Sequence, residues 1–462
     1  MKSLSVQYIR NIINGTLVHG SDEEIVKHCA YRLKQIKNTH TVFFATTLIL
    51  NWDKLSKFFP LIIVTTQPLN TKRELENLSG LTIIQVENLD QAYWSFIHHY
   101  RSMFELPVIA ITGTSGKTTT KEMTKYILEQ SMNVVATKSS NNSRTAHVQY
   151  LFSIDERTEA AVFETAVGAP GDILTASKYY EPTIGIITNI GTHHLNYCKT
   201  INQYILAKAE MADAIAEDGT LILNADDKYS NLINLTHFKG KIVKIGKKAE
   251  ADYFISDIHF TENGMNYSLT YKNQTYSMFV PGFGEHQVYN AVCAIAAVHE
   301  LGISIEEANS RLEAFPILRK HLQFFEGVNG ATIIDDTWSS TTTSIEAAVN
   351  VLCTMGKGKQ KIVVISSLTD LGSWGYYIHD RAGDMIAKKD IDILITMGFF
   401  AKGMAKRALS RGFKGSVKSF GNSNQVVRYL KKIINDQTLV LIKGDMYAKE
   451  PKEIAAKLIK KS

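Results

Sequence analysis

A short β-branched run, PVIAIT, leads directly into Gly113-Thr114-Ser115-Gly116-Lys117-Thr118-Thr119 and then into a stretch of helical texture. A buried strand, a glycine-bearing turn and a helix N-terminus in immediate succession make a phosphate-binding loop. The glycines let successive backbone N–H groups turn towards one anion, and the helix end adds its own donors. In that geometry Lys117 reaches the outer phosphates and the Thr118 hydroxyl ligates magnesium. The usual G-x-x-x-x-G-K pattern would need a glycine at position 111, which is Ile111. No N-K-x-D tetrapeptide occurs, which argues against a GTPase.

The segments around this loop alternate. AAVFE, TIGIITNI and TLILNA read as strands with helical stretches between them, which predicts an α/β fold with a doubly wound, mainly parallel sheet. After the loop, Met123, Tyr126, Ile127 and Gln130 recur at helical spacing. From about 251 to 280 the pattern alternates, with turn signals at Asn263-Gly264 and Asn273, and predicts an antiparallel hairpin insertion. A helix-like stretch, YNAVCAIAAVHELGIS, closes this region. Beyond Pro316 a second α/β series begins with ATIIDD, KIVVISS, IDILITMG and TLVLIKG, the texture of a Rossmann-like domain. Before Pro107, runs such as HTVFFATT and PLIIVTT mix with polar helical stretches and suggest a small α/β domain. At roughly 150 residues per domain, 462 residues suit three: 1–105, 106–316 and 317–462.

Composition removes several classes. Lys and Arg exceed Asp and Glu by only 51 − 45 = 6, without the clustering that nucleic-acid binding requires. Cys29, Cys198, Cys293 and Cys353 are far apart and form no C-x-x-C pair, as expected in a reducing cytosol and against a structural zinc site. The N-terminus lacks the apolar core of a signal peptide, and no apolar run is long enough to span a bilayer. The expectation is a cytoplasmic protein without membrane insertion.

Three further positions are candidates for metal. Glu164 ends the AAVFE strand, and His194 lies in the GTHHL loop after TIGIITNI; ligands of open α/β sheets gather at such carboxyl ends. A solvated glutamate or a hydrogen-bonded loop histidine is the commoner role for either alone. Lys208 is more telling. It shares a helical face with Ile201, Tyr204 or Ile205, Ala212 and Ile215, and lysines are rarely buried in such a stripe unless paired or chemically altered.

Together these motifs resemble the Mur ligase family, ATP-dependent enzymes that add amino acids to the peptidoglycan precursor during cell-wall biogenesis. The likeness runs from about 100 to 450. GTSGKTT is similar to the family's phosphate loop, which also lacks the first glycine. ITNIGTHHL resembles T-N-I-G-x-x-H-L and assigns His194 rather than His193 to the metal. LAKAE resembles the stretch whose lysine is carbamylated, making Lys208 an anionic magnesium ligand. GEHQVYNAVCAIAA resembles G-x-H-N-x-x-N-A, placing Asn290 at the adenine, and Asn141 and Asn142 match paired asparagines. TIIDDTWSSTTTSI, Asp370-Leu371-Gly372 with His379, and LIKGD resemble the branch that adds D-alanyl-D-alanine to the UDP-muramoyl tripeptide.

Departures lie at both substrate ends. Asp335, Asp336 and Ser344 are kept, but the Tyr, Asn, Asn and Pro positions hold Trp338, Ser339, Thr341 and Thr342. K-G-S-R has become Lys443-Gly444-Asp445-Met446, and the D-S-R that helps hold the uridine nucleotide survives only as Ala30-Tyr31-Arg32. The resemblance implies an acyl-phosphate mechanism. Thr118 and Glu164 would serve one magnesium, His194 and carbamylated Lys208 a second, and Lys117 the phosphates. Asp336 would come to the ribose or phosphate region and Arg319, on the linker, to the phosphates. It also implies small-molecule partners, a carboxylic acid precursor and an amino acid or dipeptide, on a monomer, with 1–105 holding the acid. A ligase of the same fold using an acid without a uridine nucleotide, and a weakened nucleotide-binding scaffold, remain as alternatives.

Overall fold

The computed structural model describes residues 1–46, 50–67, 78–142, 144–191 and 195–460. Their strands form sheets of nine, six and five strands and one two-stranded ribbon. Two compact units are distinguished: Met1–Val108 with Met132–Val162 and Thr175–Pro182, and Ile109–Ser131 with Phe163–Leu174 and Thr183–Ser462.

The first unit holds the five-stranded sheet, in the order Thr16–His19, Leu81–Gln85, Leu61–Thr65, Thr41–Phe44, His28–Ala30. Only the first of these strands runs antiparallel to its neighbour. The helix Leu89–Ser102 starts where the Asn88 side chain accepts from Gln91 N, and it buries Tyr93, Phe96, Ile97 and Tyr100. In the same unit Val134–Ala136 runs parallel to the start of Ala160–Glu164. The HTVFFATT and PLIIVTT runs thus become adjacent parallel strands, as their β-branched content requires.

The second unit carries the phosphate loop. From the edge inward its strands run Gln274–Pro281, Gly264–Tyr271, Tyr253–Phe260, Lys241–Gly246, Thr220–Asn224, Ile184–Ile187 and Val108–Thr112. Val108–Thr112 is buried along its whole length, as expected of a parallel strand covered on both faces. The region near 251–280 contains three antiparallel strands, one more than a hairpin. Lys272 and Asn273 both take positive φ, 46° and 66°, which turns the chain back a second time. The helix after the loop, Lys117–Leu128, buries Met123 and Ile127 but stops before Gln130, which is exposed.

The six-stranded sheet follows in the same unit, ordered Gln323–Glu326, Thr332–Asp336, Thr438–Lys443, Gln360–Ser366, Ile393–Met397, Ser416–Phe420. All but the first pair are parallel, so Asp336, Lys443, Ser366 and Met397 end at one edge of the sheet. Ile395 is fully buried in its core. Ile395→Ala should therefore cost about 2–5 kcal/mol in denaturant unfolding; a cost below about 1 kcal/mol would contradict the packing described.

Candidate active site

Two glycines of the loop are required by close approach. Gly113 has φ 147°, and a Cβ there would lie 1.9 Å from Thr188 Oγ1; Gly116 has φ 85°, and a Cβ would lie 2.3 Å from Asn290 Oδ1. The loop is held from one side by the two residues that follow Ile184–Ile187. Thr114 N donates to Asn189 O (2.9 Å), and Ser115 N to Asn189 Oδ1 (3.1 Å). In return Thr188 Oγ1 and Asn189 Nδ2 donate to Ser115 O, at 2.7 and 2.9 Å. These four bonds occupy Thr114 N, Ser115 N and Ser115 O, and the helix N-terminus that follows them is where an anion would be received.

Around the loop stand three ionisable side chains. Thr118 Oγ1 donates to Glu164 Oε2 (2.9 Å), and Glu164 is 1% exposed. Thr165 N donates to Ile111 O, which brings the end of the Glu164 strand alongside the loop strand. Lys208, also 1% exposed, sends Nζ to Thr112 Oγ1 and Gly113 O, both at 3.1 Å, and lies 5.2 Å from the Tyr204 ring centroid. Burial, with Lys117 second, holds the Lys208 amine well below the usual lysine value. Burial also lowers Lys117, opposed by Glu164. A buried, deprotonated amine is the nucleophilic form, the one that can add to carbon dioxide.

Among the described residues no group of three or more His, Cys, Asp or Glu side chains stands together as a metal cage. The donors at the loop nevertheless suit magnesium, which takes hard oxygen ligands from one or two carboxylates and from substrate phosphates. The Thr118 hydroxyl and the buried Glu164 carboxylate are such a pair. His194 lies outside the described residues.

The six-stranded sheet also brings residues to the loop. Thr341 caps the helix Thr342–Met355: its hydroxyl accepts from Ser344 N while Ser344 Oγ accepts from Thr341 N. The same Thr341 hydroxyl lies 2.9 Å from Ser115 Oγ of the phosphate loop. Asp336 Oδ2 is engaged by Lys443 Nζ across paired strands, and Lys443 is 1% exposed. His379 is buried and accepts from Leu368 N through Nε2 (3.0 Å), while Nδ1 faces Gly375 O (2.6 Å). It fixes the turn that carries Asp370-Leu371-Gly372. Asp445 braces the same turn, since Oδ2 accepts from Thr369 Oγ1 and Oδ1 from the Tyr447 and Ala448 amides.

The structure thus gathers Gly113, Thr114, Ser115, Gly116, Lys117, Thr118, Thr119, Glu164 and Lys208 at one place. Asn290 is buried, with its side-chain oxygen against Gly116 and 3.4 Å from the Thr120 hydroxyl, so it stands behind the loop. Asp336 is committed to Lys443. Arg319 is exposed on the linker. Asn141 and Asn142 lie in a turn of the first unit. Sequence reasoning passed over Thr188, Asn189, Tyr204, Thr341 and Lys443 as working residues. The first two lie inside the TIGIITNI run, and their role follows only from the pairing of its strand with Val108–Thr112.

Residues 111–298 match the Mur ligase middle domain, and residues 322–446 match a domain described as Mur ligase, glutamate ligase domain. The chain is 28% identical over 362 residues to the UDP-N-acetylmuramoyl-tripeptide–D-alanyl-D-alanine ligase of Bacillus subtilis (strain 168), covering 78% of each. In fold it is similar to MurF from Acinetobacter baumannii, with a TM-score of 0.84 over 99% of both chains at 22% identity. It is also similar to the MurF ligase of Thermotoga maritima in complex with ADP, with a TM-score of 0.75 over 94% of this chain and 98% of that one at 17% identity.

Two outcomes follow from the geometry. Gly116→Ala, which combines a positive φ with the Asn290 clash, should weaken ATP binding at least about tenfold by calorimetry. Gly412→Ala starts from a similar φ, 88°, but has nothing within 4 Å, and should leave binding unchanged. Equal affinities in the two variants would remove the argument. Separately, burial pushes His286 down to about 4, with Asp336 opposing that fall and Lys443 adding to it. Between that value and about 6.5 the unfolded chain binds the proton and the folded one does not, so stability drops as pH falls through this window. His286→Gln should flatten that slope by about 1 kcal/mol per pH unit. Urea unfolding at both ends of the window would show it.

Proposed function

The chain belongs to the Mur ligase family, and on that premise we propose that it joins D-alanyl-D-alanine to a UDP-muramoyl tripeptide with hydrolysis of ATP. The observation that carries this reading is the convergence of Thr118, Glu164 and the buried Lys208 amine on one phosphate loop. The reading includes magnesium, small-molecule partners, a cytoplasmic location and a monomeric state. No helix among the described residues is long and apolar enough to cross a membrane.

In the first step a substrate carboxylate oxygen attacks the γ-phosphorus of ATP. The bond from that phosphorus to the β,γ-bridging oxygen breaks, and ADP leaves with the electron pair. In the second step the amine nitrogen attacks the acyl carbon; the bond to phosphate oxygen breaks, phosphate leaves with the pair, and the nitrogen loses a proton. Backbone amides of 113–118 and the Lys117 Nζ would hold the phosphates in line, so that little reorganisation accompanies charge transfer. Magnesium, held by Thr118 with Glu164 and by His194 with carbamylated Lys208, would neutralise the charge of the transferring group. Asn290 would keep Gly116 in its left-handed conformation. Lys443 would hold Asp336 in place at the edge of the six-stranded sheet, and the exposed Arg319 is free to reach a bound nucleotide.

An acid lacking the uridine nucleotide is the second reading. It is favoured by Tyr31, which stands where the family has serine and spends its hydroxyl on Asp90 (2.7 Å) and its ring on Tyr93 (centroids 4.3 Å apart). Phosphate release and amide formation with UDP-muramoyl tripeptide and D-alanyl-D-alanine, compared with other acid and amine pairs, separate the two. Absence of release with every pair would favour a nucleotide-binding scaffold instead. Lys208→Ala should lower amide formation by at least about 100-fold while ATP still binds. Near-normal turnover in that variant would sink the carbamate assignment.

A further inference from the structure

Trp374 follows the Asp370-Leu371-Gly372 turn at the carboxyl edge of the six-stranded sheet, and its indole Nε1 donates to Lys199 O at 2.7 Å. Lys199 has φ 57°, a conformation that a non-glycine residue keeps only when its surroundings hold it there. The next residue, Thr200, is the N-cap of the helix Ile201–Ala214, its hydroxyl accepting from Gln203 N. That helix carries Lys208, whose Nζ meets Gly113 O. A continuous path of fixed groups therefore runs from the turn after Gln360–Ser366, through one indole N–H and a helix cap, to the amine beside the phosphate loop. A separate contact, between the hydroxyls of Ser115 and Thr341, joins the phosphate loop itself to the cap of the helix Thr342–Met355.

We propose that Trp374 is a positioning residue that holds the 370–374 turn against the start of the Lys208 helix, so that the acyl phosphate is consumed by the amine rather than by water. The proposal rests on the reading of this chain as an amide ligase. Water competes in the second step: its oxygen attacks the acyl carbon, the same carbon–oxygen bond breaks, and phosphate leaves with the electron pair. A proton is lost and the acid is regenerated. ATP is then spent without product, and only exclusion of water from the site prevents it. Trp374 also packs edge-on against Tyr377, with centroids 5.7 Å apart, so Trp374→Phe removes the N–H donor while keeping an aromatic ring at the position.

The test measures phosphate and amide separately in the full-length protein, with saturating ATP, acid and amine. Wild type should release about one phosphate per amide, whereas Trp374→Phe should release about two to three. Its kcat for amide should fall about 3- to 10-fold, the worth of one hydrogen bond, and its KM for ATP should stay within about twofold. Thr341→Val should move the ratio in the same direction, and Thr341→Ser, which keeps the hydroxyl, should not. A purely structural role would lower the amount of active protein and leave the ratio at one. A ratio of one in Trp374→Phe, whatever its kcat, overturns the proposal. If wild type itself forms no amide with any acid and amine pair, the ligase reading fails and this inference falls with it, and that outcome is recognised without any variant.

Discussion

Parallel strands that pair in register end at the same edge of their sheet, and here that rule sets where the chemistry can be. Ile187 pairs with Thr112, so the residues that follow, Thr188 and Asn189, come to lie beside Gly113, Thr114 and Ser115. They make four hydrogen bonds to the backbone of Thr114 and Ser115. The side chain of Thr188 also closes the space a Cβ at Gly113 would need. The loop glycine, the threonine and the asparagine are therefore one arrangement, and none of the three can change without the others losing their fit. Glu164 arrives by the same logic from the other neighbouring strand, carried there by the Thr165 to Ile111 hydrogen bond.

The cost of this site is electrostatic. Among the described residues Lys208 has no carboxylate partner at hydrogen-bonding distance, and desolvation favours its neutral form. A hydrophobic residue would fill the same stripe of the Ile201–Ala214 helix with no such penalty. The retained lysine thus marks the position as one kept for chemistry rather than packing. Lys443 is the contrasting case, since it is equally buried but meets Asp336 on the paired strand. A buried pair of that kind adds little net stability, yet removal of one partner leaves an uncompensated charge. It serves to fix where the edge of the six-stranded sheet stands.

Much of this was legible beforehand. The strands around the phosphate loop appear as β-branched runs, and the loop itself appears in its glycine spacing. Lys208 appears as a cation inside an apolar stripe, and it is buried in the folded chain. The antiparallel region carries turn signals at both Asn263-Gly264 and Asn273, and it holds three strands rather than the two of a hairpin because the chain reverses at both. The contact that Thr341 makes could not be read at all. As a threonine before a helix it is an ordinary cap, and only the folding back of the six-stranded sheet brings its hydroxyl to Ser115, 226 residues away. Asn290 shows the same limit, since helical spacing places it on the buried face but cannot say that its amide stands under Gly116.

The sequence by itself determined the elements and the chemistry available to them. Local rules suffice for that, because strand and helix periodicity, glycine's backbone freedom and the donor types of Lys117, Thr118, Glu164 and Lys208 belong to single segments. Which side chains meet was decided by the tertiary structure alone. Sheet register brings Thr188 and Asn189 to the loop, and helix packing buries the Lys208 amine, which favours its neutral form. The second sheet brings Thr341 and Trp374 against segments more than a hundred residues distant. Such contacts depend on loop closure over long separations and on desolvation, and both are properties of the assembled core rather than of any stretch of chain.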